Sequence, residues 1–138
     1  MREPERTSIL VVEDDPGVAQ VLKGRLESEG YETHIEATGE SALSYAVKQG
    51  PDLVLLDVGL PDMSGLQVSK QLRKLYSRRE LPIVMLTAKD QPVDQLYGFA
   101  NGADAYLTKP YNPSELTQTI KLCLGEIVGD WGPQLYTR

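Results

Sequence analysis

A doubly wound α/β domain, one parallel sheet held between two layers of helices, is the fold this sequence predicts, and three observations predict it. Short β-type runs alternate with helical patterns in five successive units between residue 7 and about residue 128, the signature of repeated βα units. Ile9-Leu10-Val11-Val12, Leu53-Val54-Leu55-Leu56 and Ile83-Val84-Met85-Leu86 are apolar without alternation, as strands covered on both faces must be. Four runs also stop at polar, reactive residues: Glu13-Asp14, Asp57, Thr87, and Thr108-Lys109 after Ala105-Tyr106-Leu107. The carboxyl ends of parallel strands lie side by side, so three carboxylates, a hydroxyl and an ammonium fall into one small crevice.

Taken in order, strand one covers Ser8 to Val12. Asp15-Pro16 then opens a helix, aspartate as N-cap and proline at the first helical position, and Gly30 stops it in a left-handed turn. Strand two, Thr33 to Glu36, is more polar, which suits an edge; His34 within it reads as an ordinary strand residue. Strand three, Leu53 to Leu56, leads through Gly59 and Pro61 to Ser64, which with Gln67 spells a capping box. Strand four is Ile83 to Leu86. The helix after it contains Gly98, which costs up to about 1 kcal/mol relative to alanine and is expected to make that helix mobile. Asn101-Gly102 ends it, and strand five, Ala105 to Leu107, is short enough for the other edge. Asn112-Pro113 repeats the capping device, with Glu115 placed to reach back, and the helical pattern runs to Ile127. Cys123 lies in it beside Ile120, Leu124 and Ile127, where a small buried residue is a better reading than a nucleophile.

The length of 138 residues accommodates one domain with a single core. Residues 1–128 are assigned to it, and 129–138 to a tail or the start of a linker to an effector domain, with Trp131, Leu135 and Tyr136 as its apolar residues. The reading frame is expected to continue past Arg138. Hydrophobic content of 41% and charged content of 25% are ordinary for a soluble protein, no run is long enough to span a bilayer, and MREPERTS lacks a signal peptide's apolar core. A cytoplasmic location is therefore expected. A net charge of −6 argues against direct binding of nucleic acid or anionic lipid. Arg73, Lys74, Arg78 and Arg79 are the strongest basic cluster, read as a solvated surface that complements a helix dipole. A single cysteine allows no internal disulfide.

The strand ends carry the chemistry. Capping accounts for Asp15, but not for Asp57, which ends a core strand and is costly beside other acids unless a ligand compensates. Hard cations such as Mg²⁺ prefer oxygen ligands, and two carboxylates with a carbonyl make a credible weak site. Without a cation the clustered charge raises at least one carboxylate pKa. Thr87 or Lys109 alone would be ordinary turn or loop residues; together with the acids at one sheet edge they describe a place for a phosphoryl group.

From Ser8 to Ile127 the chain resembles the receiver domains of two-component response regulators. The matching motifs are Ile9-Leu10-Val11-Val12-Glu13-Asp14-Asp15, Asp57-Val58-Gly59-Leu60-Pro61 continuing to Gly65, Thr87-Ala88, and Gly102-Ala103-Asp104-Ala105-Tyr106-Leu107-Thr108-Lys109-Pro110. The resemblance implies strand order 2-1-3-4-5 in a flavodoxin-like three-layer sandwich with five helices. It makes Asp57 the phosphoacceptor, served by a histidine kinase or a histidine phosphotransfer protein. Asp14, Asp57 and the backbone carbonyl of Gly59 would ligate Mg²⁺, with Glu13 acting through a water; Lys109 would pair with the phosphoryl oxygens and Thr87 would donate its hydroxyl to one of them. Lys109-Pro110 would be a cis peptide.

The resemblance also implies a switch rather than an enzyme, one that catalyses only its own phosphotransfer and autodephosphorylation. Thr87 would move toward the phosphorylated Asp57 and Tyr106 would turn inward, so that Asp90 to Ala100, strand five and Asn112 to Ile127 signal to an effector in cis or a partner in trans. The same surface would serve a homodimer. Full reversal of a 1:99 equilibrium needs about 5.5 kcal/mol, so partial activation is expected. The last helix, with Lys121 its only basic residue, differs from receivers that dimerise through salt bridges and drive winged-helix DNA-binding domains.

Two other functions fit less well. Haloacid-dehalogenase-type phosphohydrolases carry a second acid two residues after the nucleophilic aspartate, where this chain has Gly59, and neither a GxxxxGK loop nor a GxGxxG turn opens a helix. A degenerate receiver serving only as an interaction module would not need the intact set of acids, threonine and lysine.

Overall fold

The structure, a computed structural model, describes residues 6–127. Trp131, Leu135 and Tyr136, with the rest of the 129–138 tail, lie outside the described residues. In order, the elements are β1 (Ser8–Val12), α1 (Pro16–Ser28), β2 (Glu32–Glu36), α2 (Gly39–Gln49), β3 (Leu53–Leu56), α3 (Gly65–Leu75), β4 (Ile83–Thr87), α4 (Pro92–Ala100), β5 (Ala105–Thr108) and α5 (Pro113–Cys123). The five strands form one parallel sheet in the order β2-β1-β3-β4-β5.

Unbroken apolar strands follow from having two cores to fill. Ile9 and Val11 of β1, with Leu53 and Leu55 of β3, face Leu22 and Leu26 of α1 and Leu116 and Ile120 of α5. The alternate residues, Leu10, Val12, Val54 and Leu56, face Ala42 and Ala46 of α2 and Val68 and Leu72 of α3. Successive strand side chains point to opposite faces, so every position of a central strand is buried. Truncating one of these leucines to alanine would cost about 2–5 kcal/mol.

The helix starts follow the sequence signals. Asp15 accepts from the N–H groups of Gly17 and Val18, and Asn112 from those of Ser114 and Glu115. Ser64 accepts from Leu66, but its cap is one-sided, without the reciprocal bond expected from Gln67. The Asn112 cap likewise lacks a return bond from the Glu115 side chain. Gly30 and Gly102 take positive φ, 95° and 105°, as the left-handed stops require.

Three expectations are corrected. β2, β4 and β5 are each one residue longer than predicted, because ladder pairing carries polar residues such as Thr87 and Thr108 into the sheet. α5 stops at Cys123 rather than Ile127: Gly125 adopts φ 74° and breaks the helix although the apolar spacing continues beyond it. The end is tied down instead by the Tyr31 hydroxyl, which donates to Glu126 Oε1 at 3.0 Å. The basic cluster is not a purely solvated surface. Arg73, 15% exposed, and Arg78 close on the buried Asp104 at 2.6 and 3.1 Å, while Lys74 and Arg79 remain exposed. His34, as expected, is a strand residue; it stacks on Tyr45 and bonds Glu36. Cys123 is partly rather than fully buried, packed against the core, and this burial pushes its thiol up to about 12, consistent with an unreactive side chain.

Candidate functional site

β1 and β3 are neighbours although α1, β2 and α2 separate them in sequence, so the direction of winding reverses between them. A crevice opens at the carboxyl ends of the strands at such a point. Glu13 and Asp14 arrive from β1 and Asp57 from β3. One carboxylate oxygen from each can lie within 4.8 Å of the others, a spacing suited to a shared cation. Backbone pairing fixes the strand ends: the Glu13 N–H donates to Glu36 O at 3.0 Å and the Asp57 N–H to Val12 O at 3.1 Å.

Glu13 is only 4% exposed, Asp57 is partly buried and Asp14 faces solvent. Lys109 directly follows β5, and its peptide bond to Pro110 is cis. Its Nζ donates to Glu13 Oε1 at 2.6 Å and to Asp57 Oδ2 at 3.0 Å. Burial raises the Glu13 carboxyl above its ordinary value; the bonds from Lys109 and the Asp15 amide pull the other way without overcoming it. For Lys109 burial favours the neutral amine, yet the bonds to Glu13 and Asp57 prevail and raise its pKa. Desolvation wins for the acid and pairing wins for the amine because Lys109 has two carboxylate partners while Glu13 has one ammonium and the charge of Asp57 against it.

The remaining oxygens are also held. Gly59 N–H donates to Asp57 Oδ1 at 3.0 Å, and Asp15 N–H to Glu13 Oε2 at 3.1 Å. Gly65 brings the first turn of α3 against the Asp57 carbonyl, so closely that a Cβ at this position would overlap it. Thr87, 1% exposed, ends β4; its Oγ1 accepts from Lys89 N–H at 3.3 Å, and its carbonyl from Lys109 N–H at 2.8 Å. Tyr106 is buried, already in the inward position expected to follow phosphorylation, and its hydroxyl donates to Lys89 O at 2.7 Å. Burial pushes its phenol up to about 12, with Asp94, Asp57 and Asp90 adding to the shift.

The structure thus brings Glu13, Asp14, Asp57 and Lys109 together, with Thr87 on the adjoining strand end. Sequence reasoning missed two residues. Lys89 links Thr87 to Tyr106 through its own amide and carbonyl, a role no side-chain pattern could signal. Asp62 takes the first two amides of α2, Gly39 N–H at 2.8 Å and Glu40 N–H at 2.9 Å, which holds its carboxyl below the ordinary range. An aspartate after a proline in a loop reads as a turn residue, and nothing local reveals a helix end more than twenty positions earlier.

A family model described as the response regulator receiver domain matches residues 9–121. The sensory transduction protein RegX3 of Mycolicibacterium smegmatis is 44% identical over 118 residues, 86% of this chain and 50% of that protein. The alkaline phosphatase synthesis transcriptional regulatory protein PhoP of Bacillus subtilis is 43% identical over 116 residues, 84% of this chain and 48% of its own. The chain spans about half the length of these curated relatives. Among solved structures, a CheY-like receiver domain protein from Methanospirillum hungatei superposes with a TM-score of 0.82 at 34% identity, covering 88% of this chain and 96% of that one. The BeF3-activated N-terminal receiver domain of Klebsiella pneumoniae RstA gives 0.80 at 32%, covering 85% and 97%. Neither the phosphohydrolase nor the interaction-only alternative is favoured by these matches. Among the described residues, no helix is long and apolar enough to cross a membrane.

Proposed function

This chain belongs to the response regulator receiver domain family, and from that premise we propose that Asp57 is its phosphoacceptor, charged by a histidine kinase or a histidine phosphotransfer protein. The observation that carries the reading is the bond from Lys109 Nζ to Asp57 Oδ2 within a cluster of three carboxylates. A carboxylate oxygen of Asp57 attacks phosphorus, the bond from phosphorus to the donor's imidazole nitrogen breaks, and its electron pair stays with the imidazole. The product is an acyl phosphate. Lys109, already at bonding distance from Asp57, neutralises oxygen charge on the transferred group, and Thr87 donates its hydroxyl to another oxygen.

The donor set suits a hard, oxygen-seeking cation: three clustered carboxylates carry more negative charge than one ammonium offsets. Asp14, Asp57 and the Gly59 carbonyl would hold Mg²⁺. Glu13, 4% exposed and bonded through both oxygens to Lys109 and the Asp15 amide, is the most enclosed of the three acids, which supports an outer role through a water. Bound there, the cation supplies charge neutralisation for the phosphoryl oxygens.

Beside the crevice, Val18, Val21, Pro110 and Tyr111 form an apolar groove with Asp15 and Lys109 at its rim. A donor presenting its phosphohistidine to Asp57 would rest on it. After transfer, the Thr87 hydroxyl, which accepts from the Lys89 amide, donates its proton to a phosphoryl oxygen, and the β4–α4 loop follows. Tyr106 responds through Lys89, and the α4–β5–α5 face carries the change to an effector in cis, to a partner in trans or to a second copy. In this reading residues 1–128 are the receiver, acting in the cytoplasm and catalysing only its own phosphotransfer and autodephosphorylation.

Incubation with Mg²⁺ and acetyl phosphate tests the assignment. Stoichiometric labelling is expected, lost in Asp57→Ala and on removal of the metal by a chelator. Labelling that persists in Asp57→Ala, or turnover of unrelated phosphate esters, would overturn it.

A further inference from the structure

α4 leaves most of its surface bare. Val93, Leu96 and Tyr97 are exposed, and within the helix only Gly98 is buried. Glycine is a poor helix former, so its presence in the middle of α4 calls for a packing reason. A Cβ at residue 98 would come within 2.7 and 2.9 Å of Tyr106 Cδ2 and Cε2, and within 3.1 Å of Met85 Sδ. Methionine is flexible and can yield. The tyrosine ring is rigid, 3% exposed, held at its hydroxyl by Lys89 O and flanked by Phe99 at a centroid distance of 6.4 Å. A side chain at 98 therefore displaces the ring rather than deforming it.

We propose that Gly98 is a positioning residue for Tyr106: the missing side chain on α4 forms the seat that admits the inward ring, and a larger residue at 98 drives the ring toward solvent. This rests on the reading of Tyr106 as the switch aromatic. The seat is joined to the phosphorylation site by one residue, since Lys89 bonds Thr87 through its amide and Tyr106 through its carbonyl. Residue 98 thereby sets the inward–outward balance of the aromatic from the opposite end of the path.

The test is Gly98→Ala, followed by nuclear Overhauser contacts between the Tyr106 ring and the Met85 methyl and by thermal unfolding. The ring contacts should disappear. G98A should lower Tm in the wild-type background but raise it by about 3 °C in Y106A, where alanine's better helix propensity is no longer opposed by a clash. Ring contacts that persist, or the same Tm shift in both backgrounds, would refute the seat. If G98A alone does not fold, the G98A/Y106A protein decides: folding supports the seat and failure overturns it. Mg²⁺ with beryllofluoride, a phosphoryl mimic, separates the seat from the switch reading. G98A should bind the mimic yet lose the response of α4–β5–α5 resonances. An expelled ring with an undiminished response would uphold the seat and overturn the switch role of Tyr106.

Discussion

Two ionic clusters lie at opposite edges of the sheet, and they are built on opposite principles. At the amino edge of β4 and β5, Asp104 stands between two guanidiniums: Arg73 and Arg78 bond its two oxygens, and the Ile83 N–H adds a third bond at 2.8 Å. Arg73 further donates to the carbonyls of Gly102 at 2.9 Å and Leu81 at 2.6 Å. At the carboxyl edge, Glu13 and Asp57 share the one ammonium of Lys109, and Asp14 beside them is exposed. The first cluster is saturated and fixes a corner of the fold. The second carries surplus charge of one sign, which is how a protein keeps a place for a cation and a transferred phosphoryl group. An excess of carboxylates over cations, more than burial, separates the second cluster from the first, where two guanidiniums close on one acid.

The strongest way to break that contrast is Asp104→Ala. It strips a largely buried guanidinium of its partner and an amide of its acceptor, and is expected to cost about 3–5 kcal/mol by urea denaturation. A loss below about 1 kcal/mol would place Asp104 among ordinary surface acids. At the other edge Glu13→Gln should act in the opposite direction and by less, making the chelator-treated protein more stable at neutral pH. The sign follows from linkage. The Glu13 pKa is raised on folding, so the folded state holds the proton more tightly, and stability from this group is lost as pH rises from its ordinary 4.5 through its raised value. The difference between wild type and Glu13→Gln, followed by urea midpoints over that window, should grow with pH and then level off; a difference independent of pH would remove the argument. Arg78→Ala should do least. Arg78 is half-exposed and Asp104 keeps Arg73, so a change of under about 1 kcal/mol is expected in the same unfolding experiment.

Most of the carboxyl edge was legible in the sequence because its signals are local. An apolar run shows a strand, the residue after it shows where the strand ends, and parallel pairing brings those ends together whatever the distance in sequence. Asp15, Asn112 and Gly30 were readable for the same reason, since a cap or a left-handed stop acts within one turn. The amino edge was misread because its partners are distant: Arg73 and Asp104 lie 31 residues apart, and a basic run at a helix end looks solvated until a buried acid is found opposite it. The packing partner of Gly98 was hidden for the same reason. Its unfavourable helix propensity was plain, but the Tyr106 ring that takes advantage of the missing side chain comes from the next strand. The end of α5 failed for the converse reason, an apolar spacing that outlasted the helix.

The Asp62 clamp gives the crevice a fixed jaw and a moving one. Through Asp62 the loop after Asp57 grips the start of α2, and through Gly65 it is wedged under α3, so the Asp57 side has two anchors. On the facing side, from Thr87 to α4, the Tyr106 hydroxyl holds Lys89 O at 2.7 Å, but the Thr87 hydroxyl has only a longer 3.3 Å amide bond and α4 buries only a glycine. A force generated between the two sides therefore does its work on the compliant one. The domain resembles a vice bolted down on one side: under the proposed switch, motion that starts at Asp57 would be delivered toward α4, in a direction set by where the bolts are.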